Sequence, residues 1–381
     1  MNNPQPCDDT PPIRIKIAFF DVGQGDTIVI SSPDTQEAIV VDCINEDVVL
    51  EYLVQEQIKH LRGIIITHWH ADHFKRVINL VNGLQLKGIG ECEILGTSKL
   101  YNDTPVYKKQ IQNLRRLHDD HSREHNDKRR SYQRLLKWVQ DNKSKIRTLQ
   151  EESDRAFPLK GTLAKTIKVV HPHSADMPFL ETYGQQNTTV NNVSVVLHVK
   201  STGAGALLTG DLEHKGWQKL SENVADLKCD LLKFPHHGAW RNADPRVLLN
   251  EVNPSLVVIS VGCATQGNHT DKSNKYGHPN EGVLSALRAW GTDHLPFHLL
   301  CTQATSLCQP DLFGEAKRLP IRDAVATKLG SYAKYSVLNK NSCPCAGTVV
   351  VELDQTAQLI QPKAKTHRQI ISNYFSQSRC I

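Results

Sequence analysis

The stretch that decides the reading is Ile64-Ile65-Ile66-Thr67-His68-Trp69-His70-Ala71-Asp72-His73. A short β-branched run reads as a buried strand, and from His73 to Val81 apolar residues recur at three and four, as on a helix. Four nitrogen or oxygen ligands, His68, His70, Asp72 and His73, therefore fall in the loop between a strand and a helix. From such a loop His68 and His70 can point together while Asp72 and His73 turn to the other side, giving two adjacent half-sites for metal. Imidazole with carboxylate suits Zn²⁺ best, and Mn²⁺ or Fe is also compatible.

Around this loop the chain alternates short β-branched runs with helix-like stretches, the signature of a layered α/β fold. Strands are expected at Ile13–Phe20, Thr27–Ile30, Ala38–Val41, Ile167–Val170, Val193–Val199, Ala206–Leu208, Asp230–Phe234, Ser255–Val261, Phe297–Cys301 and Thr348–Leu353. Helices are expected near Asp47–Lys59, His73–Val81, Pro245–Glu251, Glu281–Trp290 and Gly314–Leu329.

An ordered series of motifs brackets the histidine loop. Asp21-Val22-Gly23-Gln24-Gly25-Asp26 follows the first strand, and Asp42 closes a later one. Downstream come Asn191-Asn192-Val193-Ser194, Leu208-Thr209-Gly210-Asp211 and Lys233-Phe234-Pro235-His236-His237-Gly238, then Ser260 and Tyr276-Gly277-His278-Pro279. In this order, over about residues 13–300, the chain resembles the metallo-β-lactamase fold family, and more closely its branch with the hydrolase domain of the ComEC DNA-uptake protein and phosphorylcholine esterases. The resemblance implies an α/β fold, an αββα sandwich. Here it would carry an inserted basic helical arm at 97–160 within a hydrolase domain at 1–300, and a short C-terminal extension at 301–381 packed on the core.

The resemblance also implies two divalent metal ions. One would be held by His68, His70 and Asp211, the other by Asp72, His73, His237 and Asp211, with Asp211 bridging. Asp211 closes an apolar strand through a glycine, which delivers a carboxylate to a strand's carboxyl end, and a shared carboxylate suits a two-metal hydrolase. Asp21, Asp26 and Asp42 read as carboxylates behind the ligands and as turn formers. His236 reads either as a proton-transfer group or as packing, and His278 as a phosphate contact or general acid. The third-motif histidine of lactamases has only His171 and His173 as nearby candidates. Where the family continues with glycines after the histidine loop, Phe74-Lys75-Arg76 stand here, so Lys75 and Arg76 are either phosphate contacts or a solvated face. Ala239 replaces the usual serine after His237-Gly238. Cys301, Cys308, Cys343 and Cys345 either close a small structural metal site, pair, or are ordinary buried thiols.

Charge is concentrated in one segment. The whole chain has 45 Lys+Arg against 40 Asp+Glu, whereas residues 108–147 hold 13 against 5. That is the electrostatic footprint expected of a partner with a phosphate backbone. Lys128, Arg129, Arg130, Arg134 and Lys137 are its candidate contacts, beside Tyr132, Leu135, Leu136 and Val139 on one helical face. The alternative is a solvated helical hairpin used in self-association.

A hydrophobic content of 39% with 22% charged residues excludes fibrous and disordered classes. No apolar run approaches the ~18 residues of a membrane span, and the polar N-terminal ten residues lack a secretory pattern, so a cytoplasmic chain with reduced thiols and no membrane partner is expected. The expected activity is metal-dependent phosphodiester hydrolysis by a bridging hydroxide, foremost a DNase in antiviral defence or DNA processing, with nucleic acid as partner and a regulatory protein or homo-oligomer as restraint. The alternatives are a small-molecule phosphoesterase or lactam/ester hydrolase, and a non-catalytic, metal-stabilised regulatory module.

Overall fold

The structure is a computed structural model in which residues 13–90, 92–96, parts of 130–149, 157–177, 180, 190–240, 243–263, 278–305, 307–308, 315–336, 338 and 342–375 are described. The first sheet comprises β1 (Ile15–Phe19), β2 (Ile28–Ser32), β3 (Glu37–Val41), β4 (His60–Ile66), β5 (Glu93–Gly96), β6 (Ile146–Thr148), β13 (Val349–Leu353) and β14 (Ala357–Gln361). The second comprises β7 (Ile167–His171), β8 (Val196–Lys200), β9 (Gly205–Leu208), β10 (Leu231–Lys233), β11 (Leu256–Ile259) and β12 (His298–Cys301). Strand orders are β14-β13-β1-β2-β3-β4-β5-β6 and β12-β11-β10-β9-β8-β7.

Alternation along the strands builds the layers, because successive side chains leave a strand on opposite faces. Ile15, Ile17 and Phe19 of β1 join Leu197 and Val199 of β8, Leu208 of β9 and Val258 of β11 in a core shared by both sheets. The outer face of the first sheet, with Ala18, Val40, Ile64 and Ile66, is covered by α1 (Glu46–Gln55) and α3 (Val77–Leu86) through Val49, Leu53, Leu80 and Leu84. The outer face of the second, with Leu207, Leu232, Val257 and Leu299, is covered by α4 (His214–Asn223), α5 (Pro245–Val252) and α6 (Glu281–Asp293) through Trp217, Leu249 and Leu287. Helix, sheet, sheet, helix is the resulting order. Strands β3 to β6 run parallel, as do β9 to β12.

Several expectations are corrected. The helix expected at His73–Val81 is two pieces, α2 (Ala71–Phe74) and α3, because the His73 carbonyl accepts from Cys43 N (2.7 Å) and is lost to helix continuation. The strand expected from Val193 begins at Val196; Val195 N instead donates across to Thr67 O at 2.9 Å, tying the two sheets together beside the histidine loop. The stretch 97–160 is not helical throughout, since β6 pairs with β5; three residues are too few to carry a period. The region after 301 contributes β13, paired with β1, and β14 at the sheet's edge. It also contributes α7 (Glu315–Leu329) and α8 (Ala364–Tyr374), which pack around Val325, Leu329 and Ile370.

Candidate metal centre

The carboxyl ends of the parallel strands converge on one spot. Asp42 follows β3, His68 follows β4, Asp211 follows β9, His236 and His237 follow β10, and Ser260 follows β11. Open α/β sheets place ligands at such ends, where loops diverge and backbone groups are free.

Asp211 is the centre of the arrangement. Its Oδ2 lies 3.3 Å from His73 Nε2, 3.4 Å from His237 Nε2 and 3.9 Å from the Nε2 of both His68 and His236. His68, His73 and Asp211 form one convergent group, and Asp72, His73 and His237 another. His73 therefore enters both. His70 sits against His68, its Nδ1 3.0 Å from His68 Nε2, and Asp72 reaches His237 Nε2 at 4.0 Å. Asp26 also enters two groups, one with Asp211 and His237, the other with Asp42 and His73.

The imidazoles are held from behind. Nδ1 of His73 meets Asp42 Oδ2 at 2.6 Å, and Nδ1 of His237 donates to Ser260 O at 2.8 Å. Asp42 is itself fixed, accepting from Thr67 N at 2.8 Å and Thr67 Oγ1 at 2.7 Å. This partnering orients each ring so that Nε2 is the atom offered forward. Those Nε2 atoms of His73 and His237, and Asp211 Oδ1, are buried and make no hydrogen bond. Orphaned polar atoms of this kind are costly unless a ligand takes them up, and nitrogen and carboxylate donors at this convergence fit a divalent metal.

Backbone geometry supports the site. The turn Pro235–Gly238 places His236 at φ 48° and His237 at φ 51°, and Asp42 stands at φ 56°. Such conformations cost on the order of 1–3 kcal/mol each in non-glycine residues and collect at functional sites. Here they are pinned by Phe234 N to Val258 O (2.8 Å) and Ala239 N to His236 O (2.8 Å). Gly238, at φ 80°, lets His278-Pro279 lie against the turn, because a Cβ there would meet Pro279 Cβ at 2.5 Å. His278 thus stands near His236, ring centroids 5.1 Å apart.

Charges at the centre shift the titrating groups. Burial opposes ionisation of Asp211, but His237 and His73 outweigh it and hold the carboxyl well below its usual range. Burial pulls His68 down. His236, one-fifth exposed, is raised against the pull of burial by Asp211 and by Glu213, whose Oε1 lies 3.3 Å from His236 Nδ1. Burial also raises Asp21 to about 7; its Oδ1 accepts from Gln303 Nε2 at 2.7 Å, away from the convergent groups.

Other expected residues lie elsewhere. His171 Nε2 donates to Asn192 O (2.8 Å) and His173 Nδ1 accepts from Ala175 N (3.2 Å); neither enters a convergent group among the described residues. Arg76 faces Glu46 at 3.7 Å, and Lys75 is half-buried on the same turn. Cys301, Cys308, Cys343 and Cys345 are buried and form no disulfide among the described residues, and among those residues no three of them converge with each other or with another ligand; Cys345 Sγ lies 3.6 Å from His367 Nε2. Lys128, Arg129, Tyr276 and Gly277 lie outside the described residues. Arg130, Arg134 and Lys137 are exposed, while Leu135 and Trp138 of the same stretch pack on the outer core of the first sheet.

Three residues at the centre went unread in the sequence. Thr67 fixes Asp42, and Glu213 faces His236. The third, Lys233, is fully buried, with Nζ 2.5 Å from Asp26 Oδ2 and 3.7 Å from Asp211 Oδ1. Burial opposes its charge, but Asp26 and Asp211 outweigh this and raise it. Its signal was available: a lysine between Leu231-Leu232 and Phe234 contradicts an otherwise apolar strand. With the imidazoles neutral, as metal ligation requires, Asp26, Asp42, Asp72 and Asp211 against Lys233 leave three negative charges, so the walls are anionic and cations are drawn in.

Residues 20–93 match the family model described as the metallo-beta-lactamase superfamily. ComE operon protein 3 of Bacillus subtilis (strain 168) is 23% identical over 292 residues, covering 72% of this chain and 30% of that protein. Competence protein ComA of Neisseria gonorrhoeae is 36% identical over 117 residues, covering 30% of this chain and 16% of that protein. The chain thus spans less than a third of the length of the curated relatives it matches. Among solved structures, the metallo-beta-lactamase fold protein YhfI from Bacillus subtilis covers 76% of this chain and 96% of its own at 12% identity and a TM-score of 0.37. No helix among the described residues is long and apolar enough to cross a membrane.

Proposed function

We propose that this chain, which matches the metallo-beta-lactamase superfamily model over residues 20–93 and is similar to competence proteins over part of their length, is a metal-dependent phosphodiesterase acting on nucleic acid, DNA first. The observation that carries this reading is Asp211 Oδ2 standing within 3.9 Å of the forward nitrogens of His68, His73, His236 and His237. A carboxylate so placed can be shared between two cations, and the three negative charges of the walls favour more than one. Zn²⁺ is the preferred ion and Mn²⁺ the second, from the donor set. Divalent metals held here supply an acidified water and stabilise negative charge on phosphorus.

The chain's own groups do the rest. His68, His70, Asp72, His73, Asp211 and His237 hold the ions, and Asp42 and Ser260 fix the rings of His73 and His237. His236, one-fifth exposed, stands 3.9 Å from Asp211, and His278 lies next to it, ring centroids 5.1 Å apart; one of them can hold a proton for the leaving oxygen. With two divalent cations held, the walls' three negative charges are offset and the centre is close to neutral, so most of the grip on a long polyanion is assigned to groups outside it. Arg130, Arg134 and Lys137 on an exposed face, with Lys128 and Arg129 beside them in sequence, supply that grip in this reading. The Neisseria relative is named a competence protein, which favours DNA as substrate. The hazard of an unrestrained DNase supports restraint by a partner or oligomer, and antiviral defence or DNA processing in the cytoplasm is the setting proposed for it.

The test is incubation of the purified chain with plasmid DNA and Mn²⁺ or Zn²⁺, with and without chelator. Cleavage abolished by chelator and by Asp211→Asn, and reduced at least about a hundredfold by His237→Ala, supports the proposal. Hydrolysis of small phosphoesters or lactams with no cleavage of any nucleic acid replaces it with the small-molecule reading.

A further inference from the structure

Asp26 enters two convergent ligand groups, yet it reaches the wrong side of the rings. Its Oδ1 lies 3.9 Å from His237 Nδ1 and its Oδ2 3.9 Å from His73 Nδ1. Those nitrogens are already engaged by Ser260 O and Asp42 Oδ2, while the forward nitrogens of both rings face Asp211. What Asp26 does meet closely is Lys233, at 2.5 Å, on a strand end where both side chains are buried from solvent. The same ammonium donates to Gly210 O at 2.7 Å and stands 3.7 Å from Asp211 Oδ1. Gly210 immediately precedes Asp211, so Lys233 bonds the backbone beside the central ligand, pairs with Asp26 and stands at ion-pair distance from one oxygen of Asp211.

We propose that Lys233 and Asp26 form a charge-compensated pair that positions Asp211, turning its Oδ2 to the imidazoles, and that Asp26 is not itself a metal ligand. The inference rests on reading this cluster as a metal centre. A buried ion pair tolerates joint replacement by neutral groups of similar size far better than the loss of one partner, because a lone buried charge has nothing to offset it. Lys233→Met leaves Asp26 as an unpaired anion directly behind two ligand rings; Asp26→Asn leaves an unpaired cation beside Asp211.

The experiment is equilibrium dialysis of the full chain against Zn²⁺, with elemental analysis, on the parent, Lys233→Met, Asp26→Asn and the double variant, each checked for folding by circular dichroism. Each single substitution is expected to weaken Zn²⁺ binding about 10- to 100-fold, the range for groups that orient ligands, and the double variant to return to within about threefold of the parent. A single variant that fails to fold while the double folds and binds is the same rescue. The proposal is overturned if the singles bind like the parent. A double variant that stays unfolded or binds no better than Asp26→Asn also overturns it, since Asp26 is then needed in its own right. A parent chain that binds no metal brings down the metal-centre reading itself, a result distinct from a failed rescue in a parent that binds.

Discussion

At the scale of single residues, the buried carboxylates play different parts according to what faces them. Asp42 is fully paired, by Thr67 and His73, whereas Asp21 meets only neutral groups, among them Gln303 and Ser336, and burial raises it to about 7. A carboxyl raised in the fold contributes its full stability below the unfolded value, near 3.8, and loses it as pH climbs through the folded value. Asp21→Asn is therefore expected to flatten the fall in stability between pH 4 and pH 8, by at most about 4 kcal/mol. Urea unfolding of both chains across that window checks this; parallel curves would place the titration elsewhere. The six ligand candidates came from residue type and motif order read through a family resemblance, and five of them, all but His70, enter the convergent groups among the described residues. Thr67 and Glu213 were not legible in the sequence, since their parts depend on a neighbour remote in sequence, and Lys233 signalled only that it was out of place in an apolar strand, not which carboxylates it meets.

Elements place these residues through a few tight contacts. The loop Gly23–Asp26 lies against the histidine loop, with Asp26 N donating to Asp72 O at 3.2 Å. A Cβ on Gly25 would stand 2.3 Å from that same oxygen, whereas one on Gly23 would meet nothing within 4 Å. Both glycines have positive φ, 119° and 82°, so both alanine variants carry strain on the order of 1–3 kcal/mol. Only Gly25→Ala should also displace Asp72 and lower metal content, as melting curves with and without added Zn²⁺ would show; equal metal binding in the two variants would mean that the loop does not brace the site. Strand positions were readable because two buried faces leave long β-branched runs. The break between α2 and α3 and the late start of β8 were not, because each is caused by a backbone bond to another element, His73 O to Cys43 N and Val195 N to Thr67 O.

At the scale of the whole molecule, the exposed Arg130, Arg134 and Lys137 are assigned, in the proposed function, a part separate from the metal centre. If the exposed face of the arm grips a phosphate backbone, Arg130→Ala, Arg134→Ala and Lys137→Ala together should lower the salt slope of DNA binding by about 0.9 for each phosphate no longer neutralised. Hydrolysis of a small phosphodiester should be unchanged, because these side chains are remote in sequence from the ligands and none enters the convergent groups. Fluorescence anisotropy over a salt series checks the first and a chromogenic ester the second; an unaltered slope reassigns the face. Deleting residues from 343 onward removes β13, whose Val349, Val351 and Leu353 belong to the core between the sheets. Loss of cooperative unfolding is the expected outcome, and a truncated chain that melts like the parent would contradict it.

The alternation of apolar residues determined by itself the layered α/β class and most of its strands, and the order of motifs, read through a family resemblance, supplied the candidate ligands, because each depends on local periodicity and residue chemistry. Tertiary structure alone decided that His73 serves both ligand groups, that His171 turns to a backbone carbonyl, and that the pocket walls are anionic around a buried ammonium. These depend on which side of a ring faces which oxygen, a matter of ångströms between segments far apart in the chain that no local pattern encodes.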